Sequence, residues 1–149
     1  MATKAELLNN LTNQIIRAAI EVHKFLGPGL LESAYRICTA HELILADLKV
    51  AQEVPLPVVY KGVRLEAGYR LDMLVNDLVI VEFKSVDALL PIHDAQVISY
   101  LKLSGKNVGL LINFNVKVLR YGIHRLVNNF PDGKIPSTAE IAESAQKNK

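Results

Sequence analysis

The sequence is poor in several things at once. It has one cysteine, Cys38, so no internal disulfide can form, which fits a reducing compartment. Cys38 lies in a helical apolar stretch and reads as a small buried hydrophobe rather than a reactive thiol. There is no tryptophan, and aromatic residues make up 6% of the chain. No apolar run approaches the roughly 18–20 residues needed to cross a bilayer. The opening residues, MATKAELLNNLTNQ, are polar and lack the apolar centre of a secretion signal. A cytoplasmic location without membrane contact is therefore expected. The net charge is only +2. That excludes a strongly basic nucleic-acid coat but leaves a local basic face open, since net charge says nothing about distribution. No P-loop or G-x-G-x-x-G is present. The four histidines, His23, His41, His93 and His124, include no pair at zinc-ligand spacing.

Half of the 149 residues are apolar, enough for one domain with a real core. Leu8, Leu11, Ile15, Ala18, Ala19, Val22 and Leu26 recur at helical spacing and predict a helix over 4–25. Gly27-Pro28-Gly29 ends it, and a second helix follows over 31–46. Val50 to Tyr60 reads as an edge strand because it holds Pro55 and Pro57. After a turn at Lys61-Gly62, strict alternation from Val63 to Val75 predicts one long strand, with Arg64, Glu66, Arg70 and Asp72 on its polar face. Asn76-Asp77 marks a turn. Leu78-Val79-Ile80-Val81 reads as a strand buried on both faces. A helix over 92–103, a strand over 107–113, a hairpin connection at Asn113-Phe114-Asn115 and a partner strand over 116–123 complete the pattern. Residues 131–149 read as a polar tail, with a short helix conceivable over 138–147, so the domain is expected over 1–130. The order suggests an α/β sandwich with a mixed sheet flanked by helices.

The sharpest chemical feature is Val81-Glu82-Phe83-Lys84. Period two puts Glu82 and Lys84 on one face at the end of an apolar strand. Burying both is costly unless they are paired or bound to something. Alone, the pattern would be an ordinary structural Glu–Lys pair. Asp72, on the preceding strand, changes this. Facing Glu82, it could hold a hard divalent cation, and the Phe83 carbonyl could add a third oxygen. Lys84 would then orient a nucleophile and offset negative charge. The register decides the matter. A strict two-residue turn at Asn76-Asp77 would set Asp72 and Glu82 on opposite faces, whereas a three-residue connection or one bulge pairs them. An irregular hairpin is therefore expected.

Gln96 and Tyr100, four apart on the next helix, share a face and can hydrogen-bond phosphate. Glu32, opening the second helix, is favoured there by the helix dipole or serves as a further acid near the metal. Tyr35, three residues on, shares its face. Arg36 and Arg70 are phosphate candidates, though solvated surface charges are commoner. His23 caps its helix or reaches the site, and His93 precedes the Gln96 helix.

Gly29-Leu30-Leu31-Glu32-Ser33-Ala34-Tyr35 reads G-x-x-E-x-x-Y. With Val22-His23, Tyr69-Arg70-Leu71-Asp72, Val81 to Lys84, Gln96 to Tyr100 and Gly109 to Asn115, the chain resembles the GxxExxY proteins from about residue 13 to 128. These form a bacterial and archaeal group within the PD-(D/E)XK nuclease superfamily. The resemblance implies a restriction-endonuclease-like core, magnesium (or manganese) at Asp72 and Glu82, and Lys84 serving the attacking water. It implies an additional acid at Glu32, and a Q-x-x-x-Y element at Gln96 and Tyr100 like that of the exonuclease-like branch. Leu71 stands where the motif's name has proline. The expected function is metal-dependent hydrolysis of DNA, with a homodimer conceivable. The alternatives are a non-catalytic nucleic-acid-binding or assembly module on this fold, or an α/β domain whose charged cluster is structural only, since fold alone does not establish activity.

Overall fold

The structure, a computed structural model, describes residues 1–66, 68–131 and 142. The first helix, α1 (Lys4–Leu26), begins where the Thr3 side chain accepts the Glu6 N–H at 3.1 Å. Its apolar stripe (Leu8, Leu11, Ile15, Ala19, Val22) is buried. It ends at Gly27, whose positive φ of 70° favours glycine. After the glycine–proline break comes α2 (Glu32–Leu45). Then follow β1 (Val50–Pro55), β2 (Val58–Tyr60), β3 (Val63–Leu65), β4 (Arg70–Val75), β5 (Val79–Lys84), α3 (Pro91–Ser104), β6 (Val108–Asn113) and β7 (Ile123–Val127).

Five strands form one sheet in the order β1-β4-β5-β6-β7. The β5–β6 pair is parallel and the other three pairs are antiparallel, so the sheet is mixed. Both faces are covered. Met73, Val75, Val81, Phe83, Leu110 and Ile112 pack with α1 and α2. Leu74, Ile80 and Leu111 pack with Val97, Tyr100 and Leu101 of α3. The central strands β5 and β6 are buried almost throughout, which is why they read as continuous apolar runs.

Three expectations need correction. The strand expected over 50–60 is two elements: β1 pairs with β4, while β2 pairs with β3 in a separate two-stranded ribbon. Pro55 and Pro57 bracket the break, since neither can donate to a ladder. The long strand expected over 63–75 is likewise divided between β3 and β4, with Gly68 at φ 81° in the gap. The partner strand expected over 116–123 starts only at Ile123, after a 3-10 turn at Leu119–Gly122. Buried Phe114 draws the chain inward here. The His23 ring Nε2–H donates to the Val116 carbonyl at 2.7 Å, so His23 serves the fold. The tail from 131 and the helix considered over 138–147 lie, apart from Pro131 and Ala142, outside the described residues.

Gly122 is the tightest point of this detour. A Cβ there would stand 2.2 Å from the Asn113 carbonyl oxygen. Gly122→Ala is expected to lower stability by about 1–3 kcal/mol, read from the midpoint of chemical denaturation.

Candidate active site

The site is built by the β4–β5 connection. Asn76 and Asp77 both take positive φ, 51° and 57°, a conformation that Asn and Asp tolerate better than most residues. The Leu78 N–H closes the turn on the Val75 carbonyl at 2.9 Å. Pairing then resumes as Val75↔Val79, Leu74↔Ile80 and Met73↔Val81. Leu78 is thus the extra residue, and the irregular hairpin expected from the sequence is present. One step further along this register, Asp72 stands opposite Glu82.

At that step side chains replace the ladder. The Asp72 N–H donates to Glu82 Oε1 at 3.0 Å, and the Phe83 N–H donates to Asp72 Oδ2 at 2.9 Å. The expected alternation of β4 also breaks here: Leu71 packs on the α3 side, whereas Met73 and Val75 pack on the other. On the far side of β4 the ladder skips as well. Gln52↔Met73 and Val54↔Leu71 pair, and between them Glu53 takes a φ of 51°. Asp72 therefore sits between two local irregularities, released from ordinary strand pairing on both edges.

Glu82 is only 5% exposed. Burial first, and the charge of Asp72 second, push its carboxyl up from 4.5 to about 8, against the hydrogen bond from the Asp72 backbone and the nearby charge of Lys84. Lys84 itself is half-buried at the end of β5. The Tyr100 hydroxyl is also raised, by burial and then by the charge of Glu82, so this side chain borders the acid pair. Gln96 Nε2 donates to the Tyr100 hydroxyl oxygen at 3.0 Å, fixing both on one face of α3.

On the α2 side a cleft of about 210 Å³ opens, lined by Glu32, Ser33, Arg36, Glu53, Asp72 and Phe83. Glu32 is exposed at its mouth, in the first turn of α2. Arg36 is tethered in the wall by Gln52 and by Glu53, the latter at 3.9 Å.

A model of the PD-(D/E)XK nuclease superfamily matches residues 9–126. The chain belongs to the PD-(D/E)XK nuclease superfamily. No curated protein and no solved structure matches it. The five-stranded mixed sheet between helices is consistent with the restriction-endonuclease-like fold of this superfamily. No helix among the described residues is long and apolar enough to cross a membrane.

PD-(D/E)XK nucleases generally use divalent metals. Among the described residues, no group of three or more His, Cys, Asp or Glu side chains is placed to hold one. The donor set near Asp72 nonetheless fits magnesium, which takes one or two carboxylates with waters and substrate oxygens completing the shell. Each acid gives one oxygen to a backbone N–H, and a carboxylate has two. In a strand, a residue's N–H and C=O leave the same edge, so the Phe83 carbonyl faces the acid pair with its N–H. A carboxyl held well above its ordinary range by burial beside another acid is one whose ionised form a cation would stabilise.

The structure thus brings together Asp72, Glu82, Phe83, Lys84 and Tyr100, with Gln96 behind Tyr100 and Glu32 at the cleft mouth. It does not bring Tyr35 to the cleft. Tyr35 is fully buried and stacks on Phe114 with centroids 4.4 Å apart. Its hydroxyl donates to the Gly27 carbonyl at 2.6 Å and accepts the Leu30 N–H at 3.0 Å. The substrate-binding role expected for it is replaced by one of bracing the Gly27–Leu31 loop. His93 is engaged locally, its Nδ1 accepting the Leu90 N–H at 2.9 Å. The sequence reading missed Glu53. Its only signal was an acid beside Gln52 in a short edge strand, at a position whose partner could not be known without the register.

Two outcomes follow. In metal-free protein the folded state retains the Glu82 proton to about pH 8 while the unfolded chain releases it near 4.5. Its contribution to stability is present at low pH and is lost as pH rises through that window. Glu82→Gln should therefore gain stability relative to the parent from pH 5 to 8 and converge with it below pH 4.5, in denaturation midpoints taken with chelator. Tyr35→Phe should cost about 1–3 kcal/mol of stability, because the two hydrogen bonds of the Tyr35 hydroxyl, to the Gly27 carbonyl and from the Leu30 N–H, are lost, and calorimetry would measure it.

Proposed function

We propose that this chain is a metal-dependent phosphodiesterase acting on DNA, of the GxxExxY group within its superfamily. The observation that carries the reading is the reciprocal clasp of Asp72 and Glu82 beside Lys84. A divalent cation held by Asp72, Glu82 and the Phe83 carbonyl would supply charge neutralisation at the phosphate and a more acidic bound water.

The chain's own residues would do the rest. The Lys84 ammonium orients the attacking water and offsets the negative charge that grows on the phosphoryl oxygens. Tyr100, held by Gln96, donates to a non-bridging oxygen. Glu32 at the cleft mouth takes up a proton as water loses it. The new bond joins the water oxygen to phosphorus, the ester P–O bond breaks, and the departing sugar oxygen takes a proton from a solvent water and leaves as a hydroxyl. Burial of Glu82 keeps bulk water from one side of the acid pair, which strengthens the charge interactions there. Residues 1–130 would form the nuclease-like domain, working in the cytoplasm.

The test is cleavage of single-stranded and duplex DNA with magnesium or manganese. Asp72→Asn and Lys84→Ala should each lower the rate on the order of 10²–10³-fold, and chelator should abolish it. Cleavage by Lys84→Ala at the parent rate would overturn the assignment. Binding without turnover in the parent would favour a non-catalytic nucleic-acid module on the same fold.

A further inference from the structure

A second recess lies beyond Tyr100. It measures about 180 Å³ and is lined by Pro55, Leu56, Glu66, Gly68, Tyr69 and Arg70. Its floor is fixed: Pro55 pairs with Arg70 at the end of the β1–β4 ladder, and the Leu56 N–H donates to the Tyr69 carbonyl at 2.8 Å. Leu56 is buried beneath it, whereas the Tyr69 ring is 48% exposed. That ring meets the Tyr100 ring at 6.4 Å and 59°, and Tyr100 in turn feels the charges of Glu82 and Asp72. The recess is therefore one aromatic ring removed from the acid pair.

Its chemistry is specific. An exposed aromatic face on an apolar floor is a stacking surface. Arg70 is exposed and, among the described residues, has no ion pair or side-chain hydrogen bond. The one acid of the recess, Glu66, is paired with Arg64, so the cation of Arg70 stands uncompensated two residues from Asp72. A half-exposed ring beside a free guanidinium suits a base and its phosphate together.

We propose that this recess takes an unpaired nucleobase of the substrate strand, next to the phosphate bound at Asp72 and Glu82, with Arg70 on a neighbouring phosphate. A base within a duplex has both faces covered by its neighbours, so stacking on Tyr69 selects a single strand or a frayed end. The catalytic half of this statement rests on the nucleolytic reading above, whereas the binding half can be tested without turnover.

The experiment measures binding of fluorescent oligothymidine, and of a duplex of equal length, to the full chain with chelator present, followed by cleavage of both with manganese. Tyr69→Ala should weaken oligothymidine binding about ten-fold, with duplex binding changed less than about two-fold. Tyr69→Phe should retain the parent affinity, and Arg70→Ala should reduce the salt dependence of binding. In cleavage, the Tyr69→Ala loss should appear in KM for the single strand. Tyr69→Ala binding oligothymidine like the parent, an equal loss for single strand and duplex, or no oligothymidine binding by the parent would each overturn the proposal. Tyr69-dependent binding with no cleavage by the parent would uphold the recess and remove the nucleolytic reading. Cleavage indifferent to Tyr69 would do the reverse.

Discussion

Two hydrogen bonds, from the Asp72 N–H to the Glu82 carboxylate and from the Phe83 N–H to the Asp72 carboxylate, hold two acids together where burial and repulsion would separate them. An ionised carboxylate with little exposure beside another is expensive. The protein offsets this with backbone donors and with the charge of Lys84, and still leaves Glu82 short of compensation. The sheet around the pair is rigid enough to impose the arrangement, because β5 and β6 are packed on both faces by helices. A slip of one residue in β4 against β5 would turn each β4 side chain to the opposite face and dissolve the pair. The single extra residue at Leu78 therefore decides whether the two acids meet.

The frame that presents the pair is made of small polar ties. Ser85 Oγ donates to the Leu30 carbonyl at 2.7 Å, joining the end of β5 to the loop before α2. Tyr35 braces that same loop from the core. Buried Asn113 clamps the backbone of Val86, accepting its N–H at 3.0 Å and donating to its carbonyl at 2.9 Å. Glu32 reaches the cleft mouth because these ties fix where α2 begins. A constellation of charged groups on strand ends works only if its supporting loops are held to within a fraction of an ångström, and here that support is largely backbone-directed.

Much of this was legible in the sequence. The helical spacing from Leu8 to Leu26 and the Gly27-Pro28-Gly29 break gave α1 and its end. The run Leu78 to Val81 gave a strand buried on both faces. The placement of Asp72 against Glu82 followed from asking which hairpin would allow it. What escaped was set by tertiary context. Alternation from Val63 to Val75 looks unbroken, yet a ribbon leaves the sheet in its middle and the facing of residues changes at Asp72. Tyr35 shares a helix face with Glu32, but periodicity does not say that α2 turns this tyrosine under Phe114. The delay of β7 to Ile123 depends on His23 and Gly122, which are distant in sequence from each other and from the strand they displace. Glu53 became visible only through its unpaired place opposite Asp72.

The central claim is that the acid pair and the Phe83 carbonyl form one cation site. Crystals soaked in manganese and measured at an anomalous wavelength test it most directly. The account predicts one strong peak within ligand distance of an oxygen from each of Asp72, Glu82 and the Phe83 carbonyl, absent in Asp72→Asn. Saturating manganese with no peak there, or a peak bound only by other residues, would contradict it.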